Sequence, residues 1–221
     1  MSSKKPILVY EKEFVFNLNQ HKNCKNQEII RNRKYFVQKY DLKDVKGTFA
    51  HDFAFRVVLD KSADDDMKNP RYKSVVYGDR GGECDSAQTD ENFERCGFST
   101  RLMTLCFQDP DITKNGGVDS ELEEQFKNNP EQQKVAAARC QTLVTLNQSA
   151  NPPAAGVAYT KAAIAANFKT VFTVTPGGNN MMFWTVVDAE KEYLKNPIKF
   201  IQDHGQQWFF CKCKESTCNI L

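Results

Sequence analysis

Several signatures of familiar chemistry are missing from this 221-residue chain. It has no phosphate-cradling Gly-Lys-Ser/Thr loop and no Gly-x-Gly-x-x-Gly turn, which excludes the commonest nucleotide-binding readings. Histidine is scarce: His21, His51 and His204 lie far apart, and none sits at a local spacing that would mark a Ser-His or Cys-His pair. No run approaches the roughly 20 apolar residues of a membrane helix, so no membrane span is expected. Lysine and arginine are scattered, without the basic-aromatic pattern of a single-strand binder, so no nucleic acid partner is expected. The start, Met1-Ser-Ser-Lys-Lys-Pro6, lacks the apolar stretch of a signal peptide.

Cysteine, by contrast, is plentiful. Cys24, Cys84, Cys96, Cys106, Cys140, Cys211, Cys213 and Cys218 make eight, an even and high number for a reducing compartment. The expectation is a disulfide-stapled, secreted or extracytoplasmic chain whose leader is not part of this numbering; the alternative is a cytoplasmic protein with free thiols. Charge is unevenly spread. Residues 1–46 hold eleven Lys/Arg against five Asp/Glu, and residues 79–131 hold five against thirteen. Such opposed ends suit self-association or a protein partner, and equally suit ordinary solvated faces.

Periodicity and turn residues organise the chain. Ile7–Phe16 alternates as a half-buried strand, with Leu8, Tyr10, Phe14 and Phe16 on one face. Glu28–Tyr40 fits a strand or a helix. Thr48–Leu59 alternates through Phe49, His51, Phe53, Phe55, Val57 and Leu59, which puts His51 on a packed face. Tyr72–Tyr77 is a short strand closed by Gly78–Gly82. Glu83–Gly97 is polar and patternless, with a Cys84–Cys96 bridge favoured to staple it. Phe98–Phe107 fits a strand or a short helix, and Ser120–Lys127 a helix. Asn129-Pro130-Glu131 is a strong helix start, and that helix is expected to reach Leu146. Gln148–Gly156 is a possible internal break, followed by an alanine-rich helix over Tyr159–Phe168. Thr170–Thr175, the turn Pro176–Asn180, Met181–Val187 and Trp208–Cys213 form a three-stranded unit. The fold class expected is α+β, an antiparallel sheet with a central cluster of helices, in one domain over residues 1–221.

Four motifs bear on chemistry. Gly78-Asp-Arg-Gly-Gly82 resembles the Gly-Asp-Ser-Gly-Gly signature of chymotrypsin-type proteases, but Arg80 stands at the nucleophile position and offers no attacking lone pair. Asp111-Ile-Thr-Lys-Asn-Gly-Gly-Val-Asp119 is similar to an EF-hand calcium loop, with Asp111, Thr113, Asn115 and Asp119 as candidate ligands. Its twelfth position is Leu122 rather than the bidentate glutamate, so calcium is a secondary expectation and no other cofactor is expected. Cys211-Lys-Cys213 points both sulfurs to one side of a strand. Disulfides fit it better than zinc: Cys24 or Cys140 could take Cys211, and Cys213 could close a small loop with Cys218. Asn147-Gln-Ser149 is a glycosylation sequon beside a loop.

No catalytic constellation emerges. The function expected is non-catalytic: extracytoplasmic protein binding, or a structural role in an assembly. The alternatives are a small secreted hydrolase with a sequence-scattered site and a calcium-dependent binding module.

Overall fold

The computed structural model describes residues 5–15, 24, 27, 34–43, 45, 51–59, 72–80, 82–113, 126–147, 154–178 and 180–214. Helices and antiparallel sheets are both present, which makes the chain α+β. Packing divides it into two compact units, Met1–Asp79 with Asp85–Cys106, and Arg80–Cys84 with Phe107–Leu221.

The first unit is built on a sheet in chain order, β1 (Ile7–Phe14), β2 (Tyr35–Asp41), β3 (Phe53–Leu59), β4 (Tyr72–Gly78) and β5 (Cys84–Thr89). β2 and β3, Tyr-Phe-Val-Gln-Lys-Tyr-Asp and Phe-Ala-Phe-Arg-Val-Val-Leu, are rich in aromatic and β-branched residues that suit a pleated surface. Both are buried on both faces, and β3 is the strand that the alternation of Thr48–Leu59 predicts. One face carries Phe14, Tyr35 and Phe98 with ring centroids 5.4–6.0 Å apart, Phe98 being the first residue of α1 (Phe98–Gln108). The other holds Tyr40, Ala54, Val75 and Tyr77. The stretch read as patternless from Glu83 contains β5 and a 3-10 turn at Glu91–Phe93, capped by the Asp90 carboxylate accepting from the Asn92 N–H.

The second unit carries a sheet ordered β6 (Cys140–Asn147), β9 (Gln207–Cys213), β7 (Thr170–Val174) and β8 (Met181–Thr185). The expected three strands are there, with a fourth beside them. β6 corrects the sequence reading. The helix opened by Asn129, α3 (Pro130–Arg139), stops at Cys140, and Cys140-Gln-Thr-Leu-Val-Thr-Leu-Asn runs on as a strand against β9. Its β-branched content and its partner strand outweigh the helical spacing of Cys140, Leu143 and Val144. Val186 likewise leaves the expected strand to begin α5 (Val186–Lys195), because the Thr185 hydroxyl accepts from the Asp188 N–H and caps a helix there.

α4 (Ala154–Ala165), α5 and α6 (Pro197–His204) also belong to this unit, together with the helical turn α2 (Pro110–Thr113). The ring of Trp208 lies 5.5 Å from those of Tyr193 and Phe200, and Phe107 packs at 5.3 and 5.4 Å from Phe168 and Phe210. Burial pushes the Tyr193 phenol up from its ordinary value. The opposite face holds the stacked rings of Phe172 and Phe209, 4.6 Å apart, with Phe126 and the Cys140–Cys211 disulfide. No described helix is long and apolar enough to cross a membrane.

Candidate functional site

On this second face, at the end of the sheet away from the disulfide, the second unit opens into a cleft of about 530 Å³. Phe126 and Phe209 form its apolar floor. The hairpin residues Val174 to Gly178 make one wall, and the connection from α6 to β9, with Gly205, Gln206 and Gln207, makes the other. Asn147, the exposed last residue of β6, is the register partner of Gln207 and closes the end.

Local chemistry builds each wall. The hairpin closes with the Thr175 N–H donating to the Asn180 carbonyl at 2.9 Å and the Gly178 N–H to the Thr175 carbonyl at 2.8 Å. Gly177 and Gly178 have φ of +90° and +75°, a region that favours glycine. Asn129 ties this turn to α3. Its Oδ1 accepts from the Gln132 N–H as an N-cap, and its Nδ2 donates to the Gly178 carbonyl at 3.0 Å. On the other wall, Gly205 ends α6 by donating to the Ile201 carbonyl at 2.9 Å, and its φ is +85°. The chain there passes so close to the Val174 carbonyl that no side chain fits between them.

Among the described lining residues none is charged. Their polar groups are the carboxamides of Asn147, Gln206 and Gln207, the Thr175 hydroxyl and backbone; none of the described lining residues is a carboxylate, amine, imidazole or thiol. A carboxamide both donates and accepts, so three of them above an apolar floor suit a neutral, hydrogen-bonding ligand.

No family model, curated protein or solved structure matches the chain. The reading of the cleft therefore rests on its own geometry.

Apart from the cysteines, the described residues singled out from sequence are dispersed. Asp111 and Thr113 fall in α2, where the Asp111 N–H donates to the Asp109 carboxylate and the Thr113 hydroxyl to the Asp109 carbonyl. Asn115 and Asp119 lie outside the described residues. Among the described residues, no three His, Cys, Asp or Glu side chains gather as a metal-ligand set. Asn147 of the sequon is exposed at the cleft end, so a glycan there would stand in its mouth. His51 bonds through Nδ1 to the Asp79 carboxylate at 3.0 Å and stacks on Tyr77; the second Asp79 oxygen accepts from the Asp52 N–H. This clasp joins the entry of β3 to the exit of β4 and gives Asp79 a structural use. His204 packs against Trp184 and Phe200; His21 and Cys218 lie outside the described residues.

Of the other cysteines, Cys84 and Cys106 are buried. The spacing argument for Cys84–Cys96 overlooked Cys24, which lies against Cys96 within the first unit and donates to the neighbouring Arg95 carbonyl at 3.8 Å. Burial, reinforced by the hydrogen bond the Cys96 thiol donates to Cys24, pushes that thiol far above its ordinary value. In the folded protein Cys96 should be alkylated at least about tenfold more slowly than the half-exposed Cys213, since the thiolate is the nucleophile. Timed iodoacetamide labelling read by peptide mass spectrometry checks this; equal rates would contradict the burial argument.

Proposed function

We propose that this is an extracytoplasmic binding protein that holds a neutral, extended peptide segment of a protein partner in the cleft of its second unit. The neutral character of the described lining residues carries the reading: apolar floor residues can take one side chain of the segment, and Asn147, Gln206 and Gln207 can pair its backbone amides. The Cys140–Cys211 disulfide supports the oxidising compartment. Binding without charge should also be nearly indifferent to salt, whereas association through the basic and acidic stretches would weaken as salt is raised.

Selection of displayed random peptides on the immobilised full chain tests this. Enriched peptides should be neutral and should bind within about twofold at low and high salt. Gln206→Trp, at an exposed rim position, should weaken them at least about tenfold by filling the mouth. Failure to enrich any peptide, or peptides indifferent to Gln206→Trp, would overturn the proposal. Steeply salt-dependent binding would move the contact to the charged stretches.

A further inference from the structure

Cys140, Cys211 and Cys213 of the second unit lie together on the ladder of β6 and β9, at the end of the sheet away from the cleft. In the ladder between β6 and β9, Cys140 is the direct register partner of Cys213, although its disulfide is to Cys211. The irregularity between Cys140 and Thr142 brings Leu143, rather than a cysteine, opposite Cys211. Cys211 and Cys213, two apart on one strand, point to the same face, so one sulfur on β6 faces two on β9. Directly opposed residues of an antiparallel pair have Cα atoms about 4.5–5.5 Å apart, within the range a disulfide spans. Cys140 can therefore reach either partner without a slip of the strands.

We infer that Cys140, Cys211 and Cys213 form an exchange site in which Cys140 alternates its disulfide between Cys211 and Cys213. Cys213 supplies the nucleophile. It is half-exposed, its sulfur lies 3.3 Å from the Thr170 hydroxyl, and Arg139, Lys212 and Lys214 are the chain neighbours of Cys140 and Cys213. The Cys213 thiolate attacks the Cys140 sulfur, the Cys140–Cys213 bond forms as the Cys140–Cys211 bond breaks, and the electron pair leaves on the Cys211 sulfur. Cys211 then takes the proton that Cys213 gave up. One S–S bond is exchanged for another, so no oxidant or reductant is consumed. Attack on Cys211 instead would join residues two apart on an extended strand, about 6.7 Å between Cα atoms and at the limit of disulfide geometry. The reaction moves the trio's thiol from the half-exposed position 213 to the buried position 211, which hides it.

Peptide mapping tests the inference on the full chain purified without reductant and blocked with N-ethylmaleimide at mildly acidic pH. Trypsin cuts after Lys199, Lys212 and Lys214, so Cys211 and Cys213 leave in different peptides. The Cys140 peptide should be found linked to each of them. Cys213→Ser should leave only the Cys140–Cys211 link. Cys211→Ser should form Cys140–Cys213 in its place, with alkylation of Cys140 at least about tenfold slower than in a chain where no partner is left. A wild-type map showing only Cys140–Cys211 together with an alkylatable Cys140 in Cys211→Ser would overturn the inference. So would Cys213 found bonded to Cys218, or all three recovered as thiols; the wild-type map needs no variant to fold.

Discussion

Gly205→Ala should destabilise the second unit by about 3 kcal/mol or more, lowering its thermal midpoint by roughly 6–12 °C. Two effects act together. The φ of +85° with ψ of 160° is a conformation essentially reserved for glycine, and the new methyl would be driven into the Val174 carbonyl, a backbone atom held within β7. Neither can relax without parting the α6–β9 connection from β7, which are the two walls of the cleft. Gly178→Ala is the matched control. Its φ is also positive, at +75°, but nothing lies within 4 Å of the position a methyl would take. That substitution should cost only the left-handed backbone strain, about 1–2 kcal/mol. Calorimetry on the two variants separates strain from collision, and equal losses would mean that the close approach at Gly205 is not a real constraint.

The second large effect concerns Arg56, which is 2% exposed in the middle of β3. Its Nε donates to the Gln38 carboxamide oxygen and its Nη2 to the Tyr40 hydroxyl, each at 2.7 Å, and the guanidinium lies 4.4 Å from the Tyr40 ring centroid. Gln38 in turn donates to the Glu11 carboxylate at 2.7 Å. Glu11, Gln38 and Arg56 are successive register partners across β1, β2 and β3, so the amide relays the attraction between a half-buried carboxylate and a buried guanidinium. A charge this deep is tolerated only while its hydrogen bonds are satisfied. Arg56→Ala should cost about 3–5 kcal/mol, because it leaves a cavity and removes the donor to the buried Gln38 carboxamide and Tyr40 hydroxyl. Gln38→Leu should cost about 1–3 kcal/mol by depriving the guanidinium of an acceptor. The double variant Gln38→Leu/Arg56→Met should be more stable than the sum of its single changes, since both partners of the buried bond are removed together. Urea denaturation of the cycle measures the coupling; strictly additive losses would remove the relay.

Three strands of the second unit, β7, β8 and β9, were legible because each is a short apolar run near strong turn residues: Thr170–Val174 before Pro176-Gly-Gly, and Trp208–Cys213 after Gly205. The start of α3 was legible for the same reason, since Asn129 and Pro130 act locally. Its end was not. Cys140, Leu143 and Val144 satisfy a helical stripe as well as a strand, and the decision belongs to β9, more than sixty residues away in the chain. β5 was missed because hydrogen bonding to β4, rather than an apolar pattern, makes it a strand. The cleft left almost no trace in the sequence. Asn147, Thr175, Gln206 and Gln207 come from separate elements, and neutral carboxamides belong to no catalytic motif. The only local hint was a glycine followed by two glutamines between a helix and a strand. Cys140 with Cys211 was among the pairings open from sequence, whereas the placing of Cys213 opposite Cys140 required the ladder.

The strand order of the two sheets has a consequence for synthesis. In the first unit β1 to β4 pair with their neighbours in sequence, so each hairpin can close soon after it leaves the ribosome. In the second, β9 lies between β6 and β7 and supplies the hydrogen bonds that join them. Until residue 213 has been added, the nascent chain must keep the apolar faces of β6 and the β7–β8 hairpin from straying to other partners. Long-range pairing of this kind is slow and exposes strand edges while it waits. The first sheet can assemble progressively during translation, and the second closes only once its central strand arrives.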